Sequence, residues 1–225
     1  GGGHTDESFE DVDYLTHLLE GIKWAAGENQ LDYNKATTQL VPDESRFLKA
    51  VLISNLDEPT ELSVMDNGQV VVIERKGAVK IYNPANRENK LLGNINVNTT
   101  NEDGLMGVAL DPDFESTNWI YLYYSPAGSK PINLLSRFVL KDGVLDIASE
   151  VPILEVDVQR DECCHTGGSL AFDAKGNLFI STGDNTNPFA SDGYAPIDER
   201  EGRQAWDAQR TSANTDDLNG KILRI

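Results

Sequence analysis

The chain repeats itself, and the repeat limits what it can fold into. Residues 62–73, Leu-Ser-Val-Met-Asp-Asn-Gly-Gln-Val-Val-Val-Ile, match residues 170–181, Leu-Ala-Phe-Asp-Ala-Lys-Gly-Asn-Leu-Phe-Ile-Ser. In each copy a short apolar run meets a turn that contains Asp and ends in Gly, and a second apolar run follows. Between them, Val108-Ala109-Leu110-Asp111 leads through a longer turn to Trp119-Ile120-Tyr121-Leu122. Gly68 and Gly176 lie 108 positions apart with one copy between them, so the period is about 50–55 residues. A repeat of that length with several strands per unit predicts β-propeller blades, each sheet burying its faces against its neighbours around a central channel. About three blades fit, whereas closed propellers typically have four to eight, so the expected fold class is all-β, a partial propeller.

The strand pattern agrees. Period-two alternation or short apolar runs predict strands at 51–56, 62–64, 70–74, 79–82, 108–110, 120–124, 134–140, 153–158, 169–172, 178–181 and 222–225. Asp66-Asn67-Gly68, Asn83-Pro84, Asp142-Gly143 and Asp173-Ala174-Lys175-Gly176 separate them, the residues that tight hairpins require. Upstream the pattern differs. From Asp11 to Ala26 apolar residues recur on one helical face, with Ser8 placed to cap the start and Gly27 to end it, which predicts an amphipathic helix. Residues 28–49 are polar, lack either period and contain Pro42-Asp43-Glu44-Ser45, so they read as a linker before a domain at 50–225.

The formal net charge of -18 argues against nucleic acid, because neutralising phosphates needs clustered Lys and Arg. No apolar run reaches the roughly 20 residues that span a bilayer, and the start lacks a signal-peptide layout. The opening Gly-Gly-Gly-His without Met and the ending in a predicted strand suggest a piece of a longer polypeptide.

Chemistry concentrates just before the last repeat. His165 can take a proton near neutral pH, and Gly167-Gly168 lets a ligand approach the backbone, which suits a general base. From the residues alone, a buried or surface histidine satisfied by a neighbouring carbonyl is the favoured reading. Cys163 and Cys164 are adjacent, and a bond between neighbours with Cα atoms about 3.8 Å apart would be strained and easily reduced. Free thiols or a metal site compete with it. Residues 182–220 form a long polar connection rich in Asp, Asn and Glu; hard oxygen ligands could hold Ca²⁺, but EF-hand spacing is absent and the expected state is a solvated acidic loop.

From Val51 to Ile225 the chain resembles the glucose/sorbosone dehydrogenase family, six-bladed propellers that use pyrroloquinoline quinone. The likeness rests on Asp57-Glu58-Pro59-Thr60-Glu61-Leu62, Glu74-Arg75-Lys76-Gly77, the run Glu102-Asp103-Gly104-Leu105-Met106-Gly107 continuing to Phe114, His165-Thr166-Gly167-Gly168-Ser169-Leu170, Thr182-Gly183-Asp184 and Leu218-Asn219-Gly220-Lys221 with the strand after it. It implies that His165 is the base that takes a sugar hydroxyl proton as hydride passes to the quinone. It places Glu102 beside the substrate, where a solvated loop carboxylate is the competing reading. The best-known glucose enzyme has an acidic residue where this chain has Cys164, which leaves the sugar open and makes Glu162, Cys163 and Cys164 candidates for its binding. Pyrroloquinoline quinone and Ca²⁺ follow from the resemblance alone, with their ligands expected mostly beyond Ile225 and no metal ligand assigned here. So do a periplasmic or secreted location and oxidation of an aldose or related alcohol by this chain's full-length parent, the 225 residues alone being inactive. A non-catalytic propeller that binds carbohydrate or protein is the alternative. Residues 1–27 resemble the C-terminal end of ThuA-like domains, with His4 read as structural there.

Overall fold

The computed structural model describes residues 12, 13, 15, 16, 19, 22 and 23, and residues 47–225. The chain divides into two compact units, Gly1–Ala50 and Val51–Ile225. In the first, all of the described residues between Val12 and Lys23 are helical, within the segment whose periodicity predicts a helix. The predicted cap Ser8, His4 and nearly all of the 28–49 linker lie outside the described residues. No helix among the described residues is long and apolar enough to cross a membrane.

The second unit is built of antiparallel sheets. β1 (Pro59–Val64), β2 (Val70–Glu74), β3 (Ala78–Asn83) and β4 (Glu88–Asn94) form the first, in sequence order. β5 (Leu105–Leu110), β6 (Trp119–Tyr124), β7 (Ile132–Lys141) and β8 (Val144–Asp157) form the second, with the one-turn helix α1 (Phe114–Thr117) between β5 and β6. β9 (Gly167–Phe172), β10 (Leu178–Thr182) and β11 (Ile222–Arg224) form the third, ordered β11-β10-β9. The three copies of the repeat are the hairpins β1–β2, β5–β6 and β9–β10. Gly68 and Gly176 close equivalent turns at φ of 80° and 82°, a region that costs other residues energy.

The sheets pack in succession, β5 on β1 and β2, then β9 on β5 and β6. This is the arrangement of consecutive propeller blades. Val71, Ile73, Val79, Leu105, Ile120, Leu122 and Phe138 fill the first interface, and Tyr123, Leu135, Val156, Leu170, Leu178 and Ile180 the second. Each fully buried side chain of this kind contributes about 1.5–3 kcal/mol relative to an exposed one. The first strand of each sheet is also tied to the next. Thr60 Oγ1 donates to Leu105 O at 2.8 Å, Glu61 accepts from Val108 N at 2.7 Å, and the same carboxylate accepts from the Ser169 hydroxyl. β5 and β9 approach so closely that a Cβ on Gly107 would lie 1.9 Å from Gly168 O.

The structure departs from expectation at four places. Residues 51–56 form no strand: the first strand starts at Pro59, and Val51 and Leu52 are exposed because this apolar run has no strand beside it to pair with. β4 escaped prediction because Glu88–Asn94 is mostly polar and exposed, and β8 begins at Val144 rather than at 153. The connection from β10 to β11 is folded rather than a solvated acidic loop, since Asn185, Thr186, Asn187, Asp198, Thr211 and Asn219 are buried. Its staple is Asp198, whose carboxylate meets Arg200 Nε at 2.7 Å and Arg203 Nε at 3.2 Å. Hydrogen bonds from Arg200 and then Arg203 hold the Asp198 carboxyl well below the usual carboxylate range, against the opposing effect of burial. Arg203 stacks over Trp206 with its guanidinium carbon 3.4 Å from the ring centre, and the indole N–H donates to Phe189 O at 2.6 Å.

Candidate active site

The register of β9 and β10 assembles the site. Gly167 pairs with Thr182, so moving two residues outward along both strands brings His165 opposite Asp184. His165 turns the chain at φ 55°, and its carbonyl accepts from Asn185 N at 3.2 Å while Thr166 O accepts from Gly183 N at 3.0 Å. A Cβ on Gly183 would sit 1.6 Å from His165 O, so this approach requires glycine.

His165 Nδ1 lies 2.8 Å from Asp184 Oδ1. The same oxygen accepts from Thr186 N at 3.0 Å and from Thr186 Oγ1 at 2.8 Å. An ionised carboxylate only accepts, so the proton of this pair sits on Nδ1 and the lone pair of neutral imidazole is on Nε2. The His165 side chain is 37% exposed, which leaves the ring accessible to a ligand. A base with its second nitrogen fixed by an acceptor is the arrangement that proton abstraction needs.

The turn preceding His165 is held by the segment following Asp184. Gln159 N donates to Asn185 Oδ1 at 2.5 Å, and Asn185 Nδ2 donates back to Gln159 O at 3.2 Å. Gln159 also bridges inward, accepting from Glu162 N at 2.9 Å and donating to Glu162 O at 3.2 Å. Asn187 Nδ2 donates to Glu162 Oε2 at 2.8 Å, and Asn187 Oδ1 lies 3.9 Å from Cys163 Sγ. Cys163 and Cys164 are joined to each other, so among the described residues no cysteine is free.

Glu102 reaches the same place from the second sheet's entry loop. It is exposed, and Thr166 N donates to its Oε2 at a long 3.4 Å. Its loop is fixed by Arg75, which donates to Asn101 O and Asp103 O, and by Arg160, whose Nε meets Asp103 Oδ2 at 2.6 Å. Glu102, Glu162, Cys163 and Cys164 line one polar crevice with Thr166, the residue after His165. The residues singled out in the sequence thus come together. Asp184, Thr186, Asn185 and Asn187 were missed as site residues, and the signal that would have found Asp184 was the hairpin register, which sets 165 against 184.

The sequence profile described as Glucose / Sorbosone dehydrogenase matches residues 56–225. Aldose sugar dehydrogenase YliI of Escherichia coli (strain K12) is 28% identical over 179 residues, 78% of this chain and 43% of that protein. The structure of the PQQ-bound aldose sugar dehydrogenase from Streptomyces coelicolor matches 78% of this chain and 46% of its own at a TM-score of 0.60 and 22% identity, a likeness of fold. The apo-form soluble aldose sugar dehydrogenase from Escherichia coli matches 76% of this chain and 44% of its own, with a TM-score of 0.57 and 25% identity. This chain therefore spans less than half the length of the relatives it matches. With the repeat, the blade packing and a profile match over most of its length, the chain belongs to the glucose/sorbosone dehydrogenase family.

Proposed function

We propose that the full-length protein oxidises an aldose sugar or related alcohol, with His165 as the general base. The observation that carries this reading is the pairing of His165 Nδ1 with Asp184 Oδ1 at 2.8 Å. It leaves Nε2 to take the hydroxyl proton, and Asp184 stabilises the imidazolium that forms. Glu102, Glu162 and the Cys163–Cys164 turn shape the sugar side; the two carboxylates accept hydrogen bonds from sugar hydroxyls, and the bonded cysteines give a stiff, apolar wall. Pyrroloquinoline quinone, which the Streptomyces coelicolor structure binds, would supply the hydride acceptor.

The described residues fit the base side of such a site and not the cofactor's anchors. Arg160 is already held by Asp103, Lys130 O and Ile132 O, and Arg210 by Gln204 O and Asn185 O, so neither stands ready for the quinone carboxylates. No cluster of three or more His, Cys, Asp or Glu among the described residues can hold a metal. The groups that hold quinone and Ca²⁺ are accordingly assigned to the remainder of the protein. The disulfide supports an oxidising compartment, periplasmic or extracellular; thiols that titrate in the native protein without reduction would refute that location. Residues 1–27 are assigned to the end of an upstream ThuA-like domain, which the upstream coding sequence will confirm or deny.

The test is sugar-dependent dye reduction by the full-length protein reconstituted with quinone and Ca²⁺. His165→Ala should lower kcat by about 10²–10⁴-fold, the worth of a positioned base. Unchanged turnover in that variant overturns the assignment, and sugar binding without any turnover across an aldose panel favours a non-catalytic propeller.

A further inference from the structure

Arg160 lies where the two walls of the polar crevice meet, and neither the proton transfer nor the sugar contacts described above use it. We propose that Arg160 is the positioning residue that sets which aldose the crevice accepts, acting through Asp103 on Glu102. This role rests on the sugar side assigned above to Glu102 and adds what fixes that carboxylate in place. One wall of the crevice is the 100–103 loop before β5, and the other is the 159–166 turn between β8 and β9. Each wall leads into a different sheet, so no hairpin register fixes the distance between them. Among the described residues two hydrogen bonds join the walls: the long one from Thr166 N to Glu102, and the bond of 2.6 Å from Arg160 Nε to Asp103 Oδ2.

The second bond is the one able to carry position. The Arg160 and Asp103 side chains are 16% and 11% exposed, so water screens their charge-assisted bond little. The same guanidinium donates to Lys130 O and Ile132 O, each at 2.9 Å, which anchors it on the segment entering β7. From the first sheet's side, Arg75 Nη1 donates to Asp103 O at 2.9 Å, and Asp103 N donates to Thr100 O at 3.0 Å. Asp103 is therefore held by both its backbone and its carboxylate. Glu102 is exposed and, among the described residues, has only the long contact with Thr166, so its carboxylate takes its place from Asp103. Because Arg160 belongs to the turn that carries Cys163 and Cys164, one guanidinium sets the spacing between Glu102 and the cysteine wall. His165 stands outside this linkage, since Asp184 and the β9–β10 register orient it. Lys could match the charge of Arg160 but not its planar fork, which serves one carboxylate and two carbonyls at once.

The experiment measures kcat and KM for glucose and for galactose, mannose and xylose, which each differ from it at one position. It compares the full-length protein, reconstituted with quinone and Ca²⁺, with its Arg160→Gln/Asp103→Asn variant. The double replacement leaves no charge buried alone, and thermal melting checks that it folds. KM for the preferred aldose should rise about 10-fold, the worth of a hydrogen bond to a charged group, with kcat within about 2-fold and a narrower spread of kcat/KM across the four sugars. A general loss of structure lowers kcat as well, so a fall in kcat as large as the rise in KM overturns the role, as does an unchanged KM. In a Glu102→Gln background the same double replacement should cost less than about 2-fold, and a full loss there overturns action through Glu102. Arg160→Lys, which keeps a charge opposite Asp103, replaces the double variant if that one does not fold, and should raise KM by about 3-fold or more under the same criteria. Calorimetric titration of the four sugars into His165→Ala, with and without the double replacement, separates this role from the catalytic reading. Lost preference in binding upholds it even if His165 proves not to be the base, and unchanged preference rejects it.

Discussion

The two ends of the β9–β10 hairpin use the same device for different purposes. At the turn, Asp173 accepts from Lys175 N at 2.8 Å, Asn177 N at 2.9 Å and Asn177 Nδ2 at 2.7 Å, all within four residues. At the open end, Asp184 accepts from Thr186 N and Oγ1 and from the ring of His165, nineteen residues away in sequence. Both carboxylates are partly buried and organise backbone. The turn carboxylate spends its capacity closing a loop, whereas Asp184 reaches across the strands and fixes a titratable ring. What separates structure from chemistry here is the reach of the acceptor and the exposure of what it holds.

Replacing Asp184 tests that contrast most sharply. In Asp184→Asn the amide can donate to Nδ1, which moves the imidazole proton to Nε2 and removes the lone pair that would take the substrate proton. We expect kcat to fall by about 10²–10⁴-fold with a melting temperature close to that of the parent. A kcat within a few-fold of the parent in the dye assay would reduce Asp184 to a structural role. Glycines at the two ends give the next largest difference. Gly183→Ala forces a Cβ to 1.6 Å from His165 O and must displace the backbone of His165, at an expected cost of about 3 kcal/mol or more. Gly176→Ala meets nothing within 4 Å and bears only the penalty of φ 82°, about 1–2 kcal/mol. Urea midpoints of the two variants measure both; equal shifts would remove the claim of a close approach at His165.

The same contrast explains what could be read in the sequence. The hairpins at 62–73 and 170–181 are written in local terms, apolar runs flanking Asp and Gly, and these fall where predicted. β4 was hidden because an outer strand with one largely wet face shows no apolar alternation, as in Glu-Asn-Lys before Leu91. Val51 and Leu52 misled for the converse reason: apolar residues declare burial or pairing, and a strand exists only where a neighbour supplies the ladder. His165 was visible as a residue type at a strand entry, but its partner depends on register, and register is a property of two strands. The staple of Asp198 with Arg200 and Arg203 was illegible in the same way, since an acidic run in a long connection reads as solvated until its guanidiniums are placed over it.

That staple gives a smaller, pH-dependent effect. The Asp198 carboxyl titrates below its unfolded value of about 3.9, so its stabilisation is complete above that pH and is lost as pH falls toward the depressed folded value. Asp198→Asn removes the negative partner of two arginines at every pH. Limited proteolysis at pH 7 should cut the connection between β10 and β11 several-fold faster in the variant, with β1–β8 still protected, and the difference should shrink on acidification. Cleavage at parental rates would show that the connection does not depend on the staple.

The smallest effect belongs to Asp173, and it closes the comparison from the other side. The Asn177 side chain, with backbone N–H groups of Asn177 and Lys175 and the charge of Arg224, lowers the Asp173 pKa. A depressed carboxylate contributes stability above the unfolded value near 3.9 and loses it as pH falls through the folded one. Asp173→Asn should therefore flatten the acid limb of the denaturation midpoint plotted against pH, and the gap between parent and variant should be widest near neutrality. Because the turn lies at the far end of the hairpin from His165, kcat and its pH profile should not move. If Asp173→Asn shifts the pH dependence of turnover as Asp184→Asn does, the two ends of the hairpin act on His165 together, and the division of labour drawn between them fails.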